Sequence, residues 1–267
     1  MELRELAGVF LNPRLAEPLA TNRQETIRYW SKVMIKSRLA IFATALTLSA
    51  CGSNNTAGSN VDGPGSTASQ AVAINQSEMA ASLTAAGEPF EVLAETAFTA
   101  TAAELDKSIL AADGAANMLK TIVPATLSAS LQTRLTAIRQ ARKADQRVDL
   151  SLASIEGFRV IVSAVPGTPA VPIDVSLLDY AGFRYDADAQ AKTPRWDDMA
   201  AATSFARERW ATLSGLAPLA KLRTRFETGL NAMDAAVRAR NVTQARAAAK
   251  AELAMVDELE VAFPKSQ

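Results

Sequence analysis

Residues 219–263 read LAKLRTRFETGLNAMDAAVRARNVTQARAAAKAELAMVDELEVAF, and their apolar residues recur every three or four positions on both sides of Asn241. The repeating positions are Leu219, Leu222, Phe226, Leu230, Met233 and Val237 before Asn241, and Val242, Ala245, Ala249, Leu253, Val256, Leu259 and Phe263 after it. This period is typical of helices with one buried face. Asn241 is a favoured N-cap residue, and Arg238 and Arg240 suit the negative end of the preceding helix. The stretch therefore predicts two antiparallel helices joined by a short turn.

The same periodicity extends upstream through four further predicted helices. They cover residues 89–113, 124–165 and 174–191, and a segment that starts at Thr193-Pro194 and ends before Gly215. The second would be about 60 Å long if it were continuous, so we expect a bend or break, either near residues 144–149 or near Gly157. No stretch alternates with the period of two that strands require. The sequence predicts an all-α fold, an antiparallel helical bundle of about six helices over residues 88–267.

The composition excludes several kinds of site. The chain has 267 residues, no His, one Cys, and 28 basic against 28 acidic residues. Without His there is no Ser-His-Asp triad, no His-ligated zinc and no His-ligated haem. A single Cys excludes an internal disulfide and a Cys-ligated cluster. The balanced charge gives no argument for binding nucleic acid. We therefore expect no cofactor, no metal site and no nucleic-acid partner.

A leader sequence precedes the one Cys. Lys36 and Arg38 come before ten uncharged residues, 39–48, and the run Leu48-Ser49-Ala50-Cys51 follows. This layout is that of a signal peptide and is too short for a mature membrane span. Its end resembles the lipobox of bacterial lipoproteins. The resemblance implies cleavage before Cys51 and attachment of fatty acyl chains, such as palmitate, to that residue.

The resemblance also implies a location and a division of the chain. Position 52 is Gly, not the Asp that usually retains lipoproteins at the inner membrane, which favours an outer-membrane protein that faces the periplasm. Residues 1–33 fit a mis-assigned start or an extended leader, and residues 34–50 fit the signal peptide. Residues 51–87 are rich in small and polar side chains and are predicted to be a flexible tether.

Two groups of residues in the body are candidates for a site. Tyr180, Tyr185, Trp196, Met199 and Trp210 either line a pocket for an apolar ligand or belong to the core. Glu156 and Asp179 lie among apolar residues. They either form a buried acid–base pair, point outward, or form ion pairs with Arg159 or Arg184.

Charge is spread unevenly along the body. A basic run contains Arg134, Arg139, Arg142, Lys143 and Arg147, and an acidic end contains Glu252, Asp257, Glu258 and Glu260. The basic run either meets anionic lipid or a partner, faces the acidic helix, or is solvated.

The sequence contains a signal that resembles those for lipid attachment, and it contains no catalytic motif. We expect a non-catalytic binding or scaffolding module, held to the membrane by acylated Cys51 and able to contact another envelope protein. Two alternatives stay open: a bundle that binds a small apolar ligand, and an enzyme that uses carboxylates only.

Overall fold

The computed structural model describes the backbone of residues 65–263 and the side chains of residues 76–263. In this part of the chain every regular element is a helix. The α-helices are α1 Gly65–Thr96, α2 Ala102–Leu119, α3 Ala125–Lys143, α4 Arg147–Val162, α5 Ile173–Ala189, α6 Trp196–Leu213, α7 Arg223–Ala239 and α8 Val242–Ala262, with a short 3-10 helix, Ala217–Leu219, before α7. The predicted all-α helical bundle is confirmed. None of these helices is apolar over a length sufficient to cross a bilayer.

The described helices pack as two successive groups of four. In the first group each helix packs on the next and α4 returns to α1, and α5 to α8 repeat this pattern with α8 returning to α5. Each group has its own apolar core. We call them the N-terminal bundle and the C-terminal bundle. They meet where α4 packs on α5, and Tyr180, Phe183 and Leu253 extend the N-terminal core across that boundary.

The described helices outnumber the six expected because two predicted helices each prove to be a pair. Residues 89–113 span parts of α1 and α2, and residues 124–165 span α3 and α4. The break between α3 and α4 falls at the first of the two expected places. Asp145 there has a φ of +52°, a left-handed conformation that a right-handed helix interior does not accommodate. Gly157, the other candidate, lies inside α4.

A capping motif explains the break between α1 and α2. The backbone N–H of Thr101 donates to Glu104 Oε2 at 2.7 Å, and the backbone N–H of Glu104 donates to Thr101 Oγ1 at 3.3 Å. This reciprocal capping box satisfies two donors at the helix start. The expected helix end at Gly114 was wrong, because α2 continues through it to the buried Leu119.

The helical body begins upstream of the predicted boundary at residue 88. Residues 65–87, assigned to the tether from sequence, belong to α1, and Leu83 and Ala86 are buried in the N-terminal core. A segment rich in small side chains can still form a helix if a few apolar residues recur with the helical period and pack against another helix. Pro89 lies inside α1, so burial of this face offsets the backbone hydrogen bond that Pro removes.

The predicted leader and most of the predicted tether lie in a part of the chain that the structure does not describe. Residues 1–33, the signal peptide at residues 34–50, Cys51 and the tether residues 51–64 lie outside the described residues.

The predicted cap at Asn241 is confirmed, since its Oδ1 accepts the backbone N–H of Gln244 at 3.0 Å. The starts of α3, α5, α6 and α8 lie within a few residues of the predicted positions.

Candidate functional site

A cavity opens beside the contact between the two bundles. It has a volume of about 450 Å³ and is lined by Arg134 of α3, by Leu152, Ala153 and Glu156 of α4, and by Arg184 of α5. We call it the basic pocket. It forms because α4 and α5 pack together while α3 flanks them on one side. The contact between the bundles therefore positions side chains from both in one place.

Glu156 is the centre of a hydrogen-bond network in this pocket. Its Oε1 accepts the Tyr180 hydroxyl at 2.7 Å and Arg184 Nη1 at 2.6 Å, and its Oε2 accepts Arg159 Nε at 3.1 Å and Nη2 at 3.0 Å. Arg184 Nη1 also donates to the Tyr180 hydroxyl oxygen at 3.0 Å. Burial opposes ionisation of Glu156, but these hydrogen bonds and the two guanidinium charges outweigh it and lower its pKa. Glu156 is therefore a carboxylate held in one orientation.

The basic pocket carries more positive than negative charge. Its lining contains two guanidinium groups, those of Arg134 and Arg184, and one carboxylate, that of Glu156. Arg159 pairs with Glu156 but does not line the cavity, and the charge of Asp188 also acts on Arg184. Arg134 Nε is buried and has no hydrogen-bond partner, and no other described residue forms an ion pair with Arg134. A guanidinium group presents several N–H donors in a planar fork that matches carboxylate and phosphate oxygens. The arrangement is chemically suited to an anion that approaches Arg134 and Arg184 from solvent.

A second charged group lies near the contact between the bundles and consists of carboxyl groups. We call it the acidic cluster; its members are Glu88, Glu91 and Glu95 of α1, Asp179 of α5, and Glu252, Asp257 and Glu260 of α8. Asp179 and Glu252 are buried, with 5% and 0% of their surfaces exposed. Neither carboxyl oxygen of Glu252 has a hydrogen-bond partner. Asp179 and Glu252 are thus ionisable groups that water does not solvate.

Burial and mutual repulsion raise the pKa values in the acidic cluster. Desolvation, followed by the charges of Glu260, Glu95 and other carboxylates, raises the pKa of Glu91 to about 8. Desolvation, followed by Glu91 and other carboxylates, raises the pKa of Asp179 well above its ordinary value, and desolvation alone does so for Glu252.

Glu260 lies at the rim of the cluster. Desolvation and Asp257 raise its pKa to about 7. The residue as a whole is exposed, so water screens its charge more than it screens the charges of Asp179 and Glu252.

A glycine on α5 makes room for Glu252. A Cβ atom at Gly182 would collide with Glu252 Oε2 and would lie 2.7 Å from Leu253 Cδ2. Gly182 is three residues beyond Asp179, so the two lie on the same side of α5. The Glu252 carboxyl group therefore lies against the α5 backbone about one turn from Asp179.

The aromatic candidates are distributed between the core and the pocket. Tyr185 and Met199 are fully buried in the C-terminal core, and the Tyr185 hydroxyl donates to the backbone oxygen of Met233 at 3.0 Å. Trp210 packs on Phe226 with ring centroids 4.4 Å apart. The half-buried Trp196 packs against the same core. Of the five candidates only Tyr180 joins the network at the basic pocket, so the set does not line one shared cavity.

Glu156 and Asp179 are not a pair. Glu156 faces guanidinium groups, whereas the charges that act most strongly on Asp179 come from carboxyl groups of α1 and α8. The hypothesis that Glu156 pairs with Arg159 and Arg184 is confirmed at 3.0 and 2.6 Å.

The basic run pairs with α2 and with the turn between α1 and α2, and not with the acidic end. Arg139 pairs with Asp113, Arg142 pairs with Asp106 at 2.8 Å, and Arg147 donates to the backbone oxygens of residues 97 and 100 at 2.9 Å. Arg134 is the member of the run that reaches the basic pocket.

Sequence reasoning missed the part that α1 plays in the acidic cluster. Glu88, Glu91 and Glu95 recur at steps of three and four, which places them on one helical face. That spacing can be read from the sequence, but the side of α8 that this face meets depends on how the two bundles pack against each other.

Comparison of the chain with protein families, with curated proteins and with solved structures finds no match.

Proposed function

We propose that the chain is a lipid-anchored protein of the cell envelope, facing the periplasm from the outer membrane. The support is the leader that ends at Leu48-Ser49-Ala50-Cys51, together with the fact that Cys51 is the one Cys of the chain. Two or more acyl chains anchor a protein stably, whereas one chain binds a membrane only marginally. On this proposal the helical body is carried at the membrane surface.

Metabolic labelling with a palmitate analogue tests the anchor. Wild-type protein is expected to incorporate the label and to fractionate with membranes, and Cys51→Ala is expected to lose both properties because the acyl acceptor is removed. Ser53→Ala, two residues downstream, is the matched control and should be labelled like the wild type. Label that persists in Cys51→Ala contradicts the proposal.

We further propose that the body is a non-catalytic binding module and that the basic pocket takes a small anion bearing a carboxylate or phosphate group. The observation that carries this proposal is the charge of the pocket lining, which has two guanidinium groups and one carboxylate, together with Arg134, which has no ionic partner among the described residues. Glu156 and Tyr180 hold Arg184 in place, so this donor is oriented before the anion arrives. The groups that contact the ligand serve to bind it and include no nucleophile activated by a neighbouring base.

Calorimetric titration with inorganic phosphate and with citrate tests the pocket. Arg134→Gln removes a charge-assisted hydrogen bond and is expected to weaken binding about tenfold or more. Arg238→Gln, on an exposed position in the last turn of α7, is the matched control and should bind as the wild type does. Equal affinity of wild type and Arg134→Gln, or no binding of either anion, excludes the pocket as the anion site.

A further inference from the structure

We infer that one exposed face of α2 lies against an anionic lipid surface. We call it the α2 face; its members are Lys107, Leu110, Gly114 and Met118 of α2, and Ile122 just beyond the end of that helix. The inference goes beyond the acyl anchor and is independent of it, because the face consists of side chains of the N-terminal bundle. It also involves none of the groups that line the basic pocket.

Large apolar side chains are exposed along α2. Among the described residues six such side chains are exposed, and three of them are Leu110, Met118 and Ile122, with 71%, 70% and 39% of their surfaces exposed. Leu110, Gly114 and Met118 recur at steps of four, so they lie on the same side of the helix. A Cβ atom at Gly114 would meet no atom within 4 Å. The packing of α2 on α1 and α3 therefore leaves an apolar strip that no described helix covers.

A groove between α2 and α3 adds a cationic group to this face. Its volume is about 540 Å³, and its lining consists of Asp106, Ile109, Leu110, Asp113, Arg139, Arg142 and Lys143. Both carboxylates of the lining are already paired with its two arginines. Lys143 is exposed and forms no ion pair with a described residue. The groove therefore presents one uncompensated ammonium group beside the exposed side chain of Leu110.

The charge of this part of the chain complements an anionic surface. Residues 102–143, which contain α2 and α3, have six basic and three acidic residues, whereas residues 144–263 have fourteen basic and sixteen acidic residues. Lys107, one turn before Leu110, is exposed and forms no ion pair with a described residue. Apolar side chains enter the boundary between headgroups and acyl chains, and lysine ammonium groups reach the phosphates. The α2 face supplies both kinds of group.

A lipid surface fits the α2 face better than a second copy of the chain does. In a symmetric dimer the same face would meet itself, so the charges of Lys107 and Lys143 would meet like charges. A membrane of anionic lipid offers apolar chains and negative phosphate groups together. Contact through the α2 face also sets the orientation of the helical body on the membrane, which an acyl anchor alone does not do.

An environment-sensitive fluorescent label on the full-length chain tests the inference. Cys51→Ala removes the native thiol and the acyl acceptor, so a label attached through Met118→Cys reports that position alone and the result does not depend on the acyl anchor. Vesicles with equal amounts of phosphatidylglycerol and phosphatidylcholine are expected to shift its emission to the blue. Phosphatidylcholine vesicles, or anionic vesicles at high salt, should give a smaller shift. The same label attached through Glu227→Cys, on the exposed side of α7, is the matched control and should not respond.

Cosedimentation of unlabelled variants with the anionic vesicles separates the apolar and the charged parts of the face. Replacing both Leu110 and Met118 by Ser is expected to weaken binding about tenfold or more, and Lys143→Gln is expected to weaken it about fivefold. The matched controls on α8 are Val261→Ser, at a position that is 66% exposed, and Lys250→Gln, which is also exposed. All variants carry Cys51→Ala, so binding by the leader is common to them and only the differences between variants are read.

Three results would overturn the inference, once circular dichroism has confirmed that each variant is folded. The first is the lack of a blue shift at position 118 with anionic vesicles. The second is equal affinity of the Leu110 and Met118 double variant and Val261→Ser. The third is a blue shift that appears without vesicles and grows with protein concentration, because it would assign the α2 face to a second copy of the chain.

Discussion

The free energy of unfolding is expected to fall by on the order of 3 kcal/mol as the pH rises from about 5 to about 8.5. Most proteins gain stability over the lower part of this range because their carboxylates are ionised and paired. In this protein the acidic cluster reverses the sign of the change in stability with pH. Glu91, Asp179 and Glu252 are more easily protonated in the folded chain than in the unfolded chain.

The direction follows from which state holds the protons. In the unfolded chain a Glu carboxyl group titrates near 4.5, whereas the pKa of Glu91 in the folded chain is about 8. The folded state therefore binds a proton that the unfolded state releases between these two values. The stabilisation is complete below the unfolded value and is lost as the pH rises through the folded value. Glu156, whose pKa is lowered, loses its contribution only below pH 4.5 and does not mask the effect.

Glu252→Gln isolates the buried member of the cluster. The amide carries no charge at any pH, so the variant is expected to be more stable than the wild type at pH 8 by about 1–3 kcal/mol and less sensitive to pH. Glu227→Gln should follow the wild-type curve because that position is exposed. Urea denaturation at a series of pH values gives the measurement. Stability that rises between pH 5 and 8 in the wild type would show that the cluster is solvated.

The sequence predicted the helices that end at strong local signals. Asn241 and the run PGTPAVP at residues 166–172 stop or start helices by their own chemistry, and the structure ends and begins helices at both places. The split between α1 and α2 depended on the capping box of Thr101 and Glu104, which the apolar periodicity concealed. The upstream start of α1 was missed because Leu83 finds its partner surface only in tertiary packing.

The candidate sites were predictable only in part. The ion pair of Glu156 with Arg159 follows from local spacing, because Arg159 is one turn away on α4. The pair with Arg184 depends on the packing of α4 against α5. The partners of Asp179 lie on α1 and α8, and each of these partner residues is more than seventy residues from Asp179 along the chain. The helical period gives the face of a helix that carries a residue and leaves open which helix that face meets. The register of α5 against α8 rests on such a contact, made through Gly182.

The second large effect is expected at Gly157 of α4, which packs tightly against Phe90 of α1. A Cβ atom at this position would lie 2.7 Å from Cε1 of Phe90 and closer still to its Cδ1. Phe90 is fully buried, and nearby Ser151 Oγ donates to the backbone oxygen of Ala94 at 3.2 Å, so neither helix is free to shift alone. Gly157→Ala is therefore expected to destabilise the protein by about 1–3 kcal/mol through overpacking.

Gly114→Ala is the matched control for this substitution. Gly114 also lies inside an α-helix, but a Cβ there meets no atom within 4 Å, so the helical preference of Ala should stabilise the protein by about 0.5–1 kcal/mol. If Gly157→Ala lowers the free energy of unfolding and Gly114→Ala raises it, the effect of packing is separated from the effect of helix propensity. Phe90→Leu combined with Gly157→Ala should cost less than the sum of the two single changes, because the smaller side chain leaves space for the added methyl group. If Gly157→Ala and Gly114→Ala shift the urea midpoint in the same direction, the close contact between α1 and α4 does not limit stability.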